Sequence, residues 1–224
     1  MTDRDETIPR RVLVTGGAQR VGRAVVLAFA RAGWAVGIHY RGSEAAAKRL
    51  VAEIAGRGGR AAALHADLAR EAETQGLIAA AAEALGGPVG VLINNASQFE
   101  YDTVESATRA EWDRHMEANL RAPFVLIQNL AAQMPADAEG VVVNILDQRV
   151  WNLTPHFVTY TLSKSGLWTL TQTLALALAP RIRVNAIGPG PTLPNPRQSP
   201  EKFDRQARSV PLGRATAPEE IADA

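Results

Sequence analysis

Tyr160 and Lys164 are the two residues of this sequence whose types and spacing most directly suggest chemistry. They stand four residues apart in a segment whose pattern predicts a helix, so both side chains should lie on one helix face. A lysine ammonium beside a phenol favours the phenolate and lowers the tyrosine pKa from about 10. The pair could therefore exchange a proton near neutral pH, although this spacing alone often arises by chance.

A glycine-containing turn near the start of the chain has the sequence Thr-Gly-Gly-Ala-Gln-Arg-Val-Gly over residues 15–22. The turn follows a predicted strand and begins a predicted helix, which is the context that a dinucleotide-binding turn requires. Gly16 would permit the tight turn, Gly22 would let the helix lie close to the strand, and backbone amides near Val21 would face a pyrophosphate. Arg20 stands where such turns usually have glycine. The alternative is a purely structural strand–turn–helix.

The end of the predicted second strand indicates which dinucleotide would bind. It reads His39, Tyr40, Arg41, then Ser43 after one glycine, with no acidic residue before Glu44. A carboxylate at this place accepts a hydrogen bond from the ribose 2′-hydroxyl of NAD and would repel a 2′-phosphate. Arg41 and Ser43 would instead bind that phosphate, so NADPH is favoured over NADH. The alternative is that Arg41 is a solvated loop charge.

Two further turns follow predicted strands and are candidates for the same site. Each begins at the carboxyl end of its strand, where ligands of open α/β sheets bind. Taken alone, either could be ordinary turn chemistry. Their candidate cofactor-binding residues are Asp67, Leu68, Asn95, Ala96 and Ser97.

Strands and helices alternate along the whole chain. Short, almost continuously apolar strands separated by helices indicate βαβ units, a parallel sheet and helices on both faces, which is a doubly wound Rossmann fold. We predict one domain over residues 1–224, with a substrate loop at about 189–210. The predicted strands are 12–15, 34–40, 61–65, 89–93, 141–146 and 182–187, and the predicted helices are 21–32, 44–55, 71–85, 109–134 and 158–178.

Composition excludes several classes of function. The chain has 224 residues, a net charge of +1 and no cysteine, which argues against nucleic-acid binding, disulfides and thiolate chemistry. The four histidines lack zinc-helix spacing, so no metal site is expected. The charged N-terminus lacks a secretory signal, and no apolar run approaches the roughly 20 residues of a membrane helix. We expect a cytoplasmic protein that acts on a small molecule.

Together these motifs resemble the short-chain dehydrogenase/reductase family over essentially the whole chain. The matching residues are the turn at 15–22, the Asn-Asn-Ala segment at 94–96, Asn119, the Tyr160/Lys164 pair and Pro189-Gly190. The resemblance implies that Lys164 also binds the nicotinamide ribose and that Asn119 supports a water-linked proton relay. It also implies that the family continues beyond residue 224 through another helix and a final strand.

Asp147 departs from the family pattern. Family members usually have a serine about 13 residues before the tyrosine, and this sequence has Asp147 at that place and no serine at all from 141 to 162. A serine hydroxyl donates to a ketone oxygen, whereas an ionised aspartate can only accept. Asp147 therefore favours a substrate that presents N–H groups, such as a nitrogen heterocycle. The alternative is an outward Asp147 that caps a loop, with Gln148 or Asn144 filling the vacancy.

The pteridine reductases are the subgroup that shares these departures. This sequence is similar to them in Arg20, Asp147, the His39-Tyr40 pair, the segment 94–99 and the segment 188–192, which contains Pro189, Gly190 and Thr192. The resemblance implies that Phe99 stacks on a pterin ring, and that Ser97 and Arg20 bind substrate and cofactor phosphate. The alternative for Phe99 is a core aromatic.

The function expected from this sequence is NADPH-dependent reduction of a pterin or dihydrofolate-like ring, with Tyr160 and Asp147 supplying protons. Alternatives are a reductase of another carbonyl or imine, and a non-catalytic NADPH-binding sensor. The helix at 158–178 and the segment 120–134 are apolar over wide arcs, so we also expect these two to pair across a twofold axis in a homodimer or homotetramer.

Overall fold

A computed structural model describes residues 7–195 and 198–224 of the chain. Six parallel strands form one sheet in the order β3-β2-β1-β4-β5-β6. The predicted single-domain, doubly wound α/β fold is confirmed. The strands are β1 (Arg11–Val14), β2 (Ala35–Tyr40), β3 (Ala61–His65), β4 (Val91–Asn94), β5 (Gly140–Ile145) and β6 (Ile182–Ile187).

Helices cover both faces of this sheet, as the apolar character of the strands predicts. Two clusters of buried apolar side chains result, one around Leu126 and Val142 and the other around Val26 and Ile38. The helices are α1 (Arg20–Arg31), α2 (Glu44–Gly56), α3 (Glu71–Gln75), α4 (Leu77–Leu85), α5 (Arg109–Met116), α6 (Ala122–Gln133), α7 (Val158–Leu178), α8 (Pro200–Arg208) and α9 (Pro218–Asp223).

Two predicted helices are interrupted. The helix predicted at 71–85 breaks at Gly76, which separates α3 from α4. The segment predicted at 109–134 contains a π-helical turn, Glu117–Arg121, between α5 and α6. Such turns have no strong sequence signature and are frequent at functional sites. This one carries Asn119.

The segment 189–210 is not only a loop. Its second half forms α8, which begins at Pro200 with Ser199 as N-cap: the Ser199 side chain accepts from the Lys202 backbone N–H. Proline at the first helical position suits this start, since its missing N–H would have no partner there. Residues 196 and 197 of the predicted loop lie outside the described residues. The prediction therefore missed α8, and it also missed the short α9.

The sheet positions the candidate site at one edge. β1 lies between β2 and β4, so the chain leaves β1 toward one side of the sheet and later returns on the other. At such a switch point the loops beyond the carboxyl ends of the strands diverge and leave a crevice. The turns after β1, β2, β3, β4, β5 and β6 all contribute to this edge.

Candidate active site

The turn after β1 has the geometry that its glycines predict. Gly16 has φ of +62°, and a Cβ there would lie 3.0 Å from the Ala96 Cα. A Cβ on Gly22 would lie 2.2 Å from the Gly16 carbonyl oxygen, which is closer than any real contact. Glycine is therefore required at both places, because the start of α1 packs directly on the turn.

Thr15 and Asn95 hold this turn against the loop after β4. The Thr15 hydroxyl oxygen accepts from the backbone N–H groups of Asn95 and Ala96, at 2.9 and 3.0 Å. The Asn95 side-chain nitrogen donates to the carbonyl oxygens of Thr15 and Gly16, at 2.8 and 3.2 Å. Both of its N–H groups are thus used inside the protein, so the Asn95 amide positions the turn and has no donor left for a cofactor.

His39 is also committed to the protein. Its Nδ1 accepts from the Gly16 backbone N–H at 3.0 Å, and its Nε2 lies 3.0 Å from the Ala66 carbonyl oxygen, to which it must donate. Burial lowers the pKa of His39 to about 4, so the ring is neutral. We predicted His39 as a cofactor-binding residue, but both ring nitrogens are occupied. The ring instead supports the glycine turn from β2.

Arg20 adopts φ of +52°, a left-handed conformation that explains why glycine is usual at this position. Its guanidinium donates to the carbonyl oxygens of Pro194 and Leu193, at 3.0 and 3.2 Å. The predicted contact of Arg20 with substrate and cofactor phosphate stays a prediction and would require the guanidinium to leave these carbonyl oxygens. Arg20 connects the glycine turn to the segment after β6, across the mouth of the crevice.

The ends of β2 and β3 face the same crevice. Arg41 is exposed, and its guanidinium lies within hydrogen-bonding distance of the Gln98 side-chain oxygen once that amide is oriented toward it, with Nη2 at 3.3 Å. Ser43 is the N-cap of α2, and its hydroxyl makes no capping hydrogen bond. Asp67 accepts from the Ala69 backbone N–H at 3.1 Å, which is an ordinary Asx turn.

Tyr160 donates its phenolic hydrogen to Oδ2 of Asp147 at 3.0 Å. Asp147 thus faces the tyrosine, as predicted from its replacement of serine. Asp147 also caps the short 3₁₀ helix Gln148–Val150, because its Oδ1 accepts from the Arg149 backbone N–H at 2.9 Å. The inward orientation is therefore the one observed, and the same side chain also makes the capping contact that the alternative assigned to an outward Asp147. Asn144 is fully buried between Asn94 and Thr171 and does not reach the site.

The pKa of Tyr160 is shifted in the direction opposite to the one expected from the sequence. Burial raises it well above 10, and the Asp147 charge and hydrogen bond raise it further, while Arg149 and the Ser97 hydroxyl act in the lowering direction. The phenol is therefore a protonated donor. We expected Lys164 to lower this pKa, but burial and a neighbouring carboxylate have the larger effect.

Lys164 is fully buried directly below the tyrosine. Its Nζ donates to the Ile145 carbonyl oxygen at 2.8 Å and lies 5.9 Å from the centre of the Tyr160 ring. Burial lowers the pKa of Lys164 to about 8, and the Asp147 charge opposes this shift. The ammonium is therefore held under the site at the end of β5 and does not line the crevice in this structure.

Asn119 is completely buried in the π-helical turn. Its side-chain nitrogen donates to the Gln98 carbonyl oxygen and the Ser163 hydroxyl, each at 3.0 Å, and its oxygen accepts from the Gln98 N–H at 2.8 Å and from Ser97 at 3.3 Å. All of its hydrogen-bonding capacity is used. The Asn119 side chain therefore fixes the loop that carries Phe99, and its role in a water-linked relay stays a prediction.

Phe99 lies in a cluster of aromatic side chains rather than in the core. We call this cluster the aromatic wall, and it consists of Phe99, Tyr101, Phe157 and Tyr160. Its ring stacks on Phe157 at 4.6 Å with an interplanar angle of 6°, and meets the Tyr160 ring edge-on at 4.7 Å. Tyr101 packs edge-on against Phe157 and its hydroxyl lies 3.1 Å from Nδ1 of His156. Sequence reasoning missed Phe157, Tyr101 and Arg149, since the pattern does not specify the path of the segments after β4 and β5 that carry them.

These elements enclose a cavity of about 1680 Å³ at the predicted edge of the sheet. It is large enough for a dinucleotide together with a small substrate. Asn119 and Lys164 are the candidate residues that do not line it. The candidates that do are Gly16, Arg20, Val21, Gly22, His39, Tyr40, Arg41, Ser43, Asp67, Leu68, Asn95, Ala96, Ser97, Phe99, Asp147, Tyr160, Pro189, Gly190 and Thr192.

Comparison with known proteins identifies the class. Residues 10–204 match the short chain dehydrogenase family. A 3beta-hydroxysteroid dehydrogenase 1 of Eggerthella lenta is 35% identical over 98% of this chain and 86% of its own length. The chain therefore belongs to the short-chain dehydrogenase family and is an oxidoreductase.

Two solved structures are also similar to this chain, at 48% and 32% identity. FolM alternative dihydrofolate reductase 1 from Brucella suis, in complex with NADP, is 48% identical with a TM-score of 0.91, over 95% of this chain and 85% of that one. A blue fluorescent protein from a metagenomic library, in complex with NADPH, is 32% identical with a TM-score of 0.88, over 95% and 87%.

Two other kinds of feature are absent from the ranges 7–195 and 198–224. No group of three or more metal-ligating side chains gathers there. Within the same ranges, no helix has the length and apolar character needed to cross a membrane.

Proposed function

We propose that this protein reduces a pterin or dihydrofolate-like ring with NADPH. The observation that carries the proposal is the 3.0 Å hydrogen bond from Tyr160 to Asp147, at the place where the family usually has a serine. An ionised carboxylate repels a developing alkoxide but accepts N–H groups, so the site suits a nitrogen heterocycle better than a ketone. The similarity to FolM from Brucella suis supports the same substrate class.

The residues at the crevice fit an NADP cofactor. Gly16 and Gly22 let backbone amides approach a pyrophosphate, and Arg41 and Ser43 offer a cation and a free hydroxyl for a 2′-phosphate. The complexes of similar proteins with NADP and NADPH support this choice. When bound, the cofactor supplies the hydride.

Tyr160 is the proton donor in this proposal. Its phenol stays protonated because burial and Asp147 raise its pKa. Its ring meets Phe99 edge-on within the aromatic wall. Reduction of a ring C=N bond then balances with a hydride added to carbon and a proton from Tyr160 added to nitrogen. Asp147 accepts a hydrogen bond from the tyrosine or from a substrate N–H, and so orients the ring for that transfer.

Phe99 would provide the surface on which the ring stacks. One face of Phe99 is already covered by Phe157, so a ligand ring would have to use the opposite face. Arg20 and Ser97 stay predicted contacts of substrate or cofactor, and Arg20 would have to leave the Leu193 and Pro194 carbonyl oxygens to make them.

A second candidate is reduction of another small carbonyl or imine substrate. The 35% identity to a hydroxysteroid dehydrogenase favours it, because that protein acts on a carbon–oxygen centre. The two candidates differ in what Asp147 must do, since a ketone oxygen needs a donor and Asp147 offers only acceptor atoms to its partners.

A substrate panel separates the two. NADPH oxidation would be followed with a dihydropterin, dihydrofolate, a cyclic imine and a simple ketone at equal concentrations. We expect the pterin and folate compounds to be turned over at least tenfold more efficiently, a difference of about 1.4 kcal/mol in transition-state binding. Faster reduction of the ketone than of every nitrogen heterocycle would support the second candidate and refute the first.

A further inference from the structure

Arg149 is a partly buried cation beside the Tyr160–Asp147 pair that the proposed function does not use. Its guanidinium Nη1 lies 3.3 Å from each carboxylate oxygen of Asp147, and its backbone N–H donates to Oδ1 at 2.9 Å. The side chains of Arg149 and Asp147 are 18% and 19% exposed. At this depth the ion pair is less screened by solvent than a surface pair.

The arrangement determines which oxygen of Asp147 faces Tyr160. Oδ1 receives two donors from Arg149, and Oδ2 receives the phenol at 3.0 Å in addition to its contact with the guanidinium. A carboxylate turns easily about its last bond, because that torsion has broad minima. The backbone N–H of Arg149 holds Oδ1, and its guanidinium bridges both oxygens, so together they restrict this rotation and keep Oδ2 directed toward Tyr160.

No other cation among the described residues that face Asp147 can take over this role. The charged or titratable groups that face the carboxylate are Arg149 from its own 3₁₀ helix and Tyr160 and Lys164 from α7. Lys164 contributes charge, but its Nζ donates to the Ile145 carbonyl oxygen at 2.8 Å. Arg149 alone forms a direct ion pair with Asp147 within the described part of the chain.

The aromatic wall holds the guanidinium. Its carbon lies 4.8 Å from the centre of the Phe157 ring and 5.5 Å from that of Phe99, and the two ring centres are 4.6 Å apart. These three distances form a triangle with only acute angles, so the guanidinium lies alongside the stacked rings. It therefore contacts both rings.

The guanidinium is fixed by its contacts with Asp147 and with the two rings. Its Nε is buried and makes no hydrogen bond with another described residue. The direction of the guanidinium is therefore set by the carboxylate and the aromatic stack.

We propose that Arg149 is a positioning residue, which links the Phe99–Phe157 stack to Asp147 and fixes the carboxylate in its acceptor orientation toward Tyr160. This inference rests on the proposed role of Asp147 in the reaction. A ring that stacks on Phe99 would then meet a carboxylate whose direction is set by the same stack. Substrate placement and the acid–base pair would thus be aligned through one side chain.

Crystal structures of Arg149→Met and Arg149→Lys test the positioning without reference to any substrate. Methionine keeps most of the apolar stem of arginine and removes the charged head, whereas lysine keeps the charge. We expect the Tyr160–Asp147 hydrogen bond to be lost in Arg149→Met and kept in Arg149→Lys. An unchanged Asp147 carboxylate in Arg149→Met would overturn the inference. If that variant does not fold, Arg149→Gln replaces it with the same expectation.

Kinetics in a double-mutant cycle supply the second arm. With the best substrate of the panel, Arg149→Met should lower kcat about tenfold to a hundredfold, the effect of one charge-assisted hydrogen bond. The NADPH affinity of Arg149→Met should be within about twofold of that of the unsubstituted protein, because Arg149 lies on the substrate side and not at the glycine turn after β1. In an Asp147→Ala background the same substitution should lower kcat much less, since the carboxylate that it positions is already absent.

Two results would overturn the positioning role. If the losses in the cycle are additive, or if kcat and NADPH affinity fall equally, Arg149 has only a structural role. Arg109→Met is the matched control, since it removes an exposed arginine paired with Asp113 on α5 and should leave kcat unchanged. If the panel favours a ketone while Arg149→Met still loses the Tyr160–Asp147 hydrogen bond, the substrate proposal fails and the positioning role stands.

Discussion

Nδ1 of His39 accepts a hydrogen bond from the Gly16 backbone N–H at 3.0 Å, so a buried imidazole on β2 supports the first glycine of the turn after β1. The contact requires an unprotonated Nδ1, because Nε2 already donates to the Ala66 carbonyl oxygen. Protonation of His39 would therefore replace an acceptor by a donor directly under the turn, and the fold resists it.

This relationship makes the free energy of unfolding depend on pH in one direction. The pKa of His39 falls from 6.5 to about 4 on folding, so between these values the unfolded chain binds the proton and the folded chain does not. The His39 contribution is fully present above pH 6.5 and is lost as the pH falls toward 4, up to about 3 kcal/mol in total.

Urea denaturation of the unsubstituted protein and of His39→Gln would measure this contribution. Between pH 7 and pH 5 the unsubstituted protein should lose about 2 kcal/mol more unfolding free energy than the variant. Between pH 7 and pH 8 the two should change alike, because His39 is unprotonated in both states there. Equal losses between pH 7 and pH 5 would contradict the assignment of His39 as a buried neutral ring.

Gly22 gives a steric prediction about the cofactor turn. A Cβ at this position would lie 2.2 Å from the Gly16 carbonyl oxygen and 2.7 Å from the Asn95 amide, so Gly22→Ala forces the turn away from α1. We expect a loss of about 1–3 kcal/mol in unfolding free energy, as for other overpacked sites. NADPH affinity, measured by fluorescence titration, should fall with it.

Gly56→Ala is the matched control for that substitution. Gly56 ends α2, and a Cβ there would meet nothing within 4 Å. Alanine should therefore stabilise the helix by about 0.4–1 kcal/mol and leave cofactor affinity unchanged. Full NADPH affinity in Gly22→Ala would mean that the turn does not have to pack on α1 as described.

Arg41 gives a prediction about cofactor choice. The unsubstituted protein should bind NADPH more tightly than NADH, and Arg41→Asp should remove or reverse that preference, because a carboxylate repels the 2′-phosphate and can accept from a ribose hydroxyl. The expected change in the ratio of the two affinities is at least about tenfold. Arg57→Asp, at the far end of α2, should leave the ratio unchanged. Equal affinities in the unsubstituted protein would remove the basis for the prediction.

The fold could be predicted from the sequence because its signals are local. The strands are short apolar runs, and α1 follows from a turn whose glycines have a steric reason that no other residue satisfies. The break at Gly76 was missed because the alanine-rich pattern of 71–85 continues through it. The π-helical turn was missed because no residue pattern marks it.

The candidate site was predicted only in part. Asp147 and Tyr160 could be paired from the resemblance to the family, in which a serine precedes the tyrosine by about 13 residues, and the structure brings them to 3.0 Å. The direction of the Tyr160 pKa could not, since it depends on burial and on where the Lys164 ammonium lies. Arg149 and Phe157 were missed because their roles come from loop paths, and the sequence offers only one signal, a basic residue two places after Asp147.

Asp147→Asn tests the central claim most directly. The substitution keeps the shape of the side chain and removes its charge, so the tyrosine loses its charged acceptor and the substrate N–H groups lose theirs. We expect the rate of NADPH oxidation with a dihydropterin to fall about 10²-fold or more, a loss typical of acid–base catalysis, with NADPH affinity nearly unchanged. Full dihydropterin turnover by Asp147→Asn would contradict the role of Asp147 and remove the main support for pterin reduction.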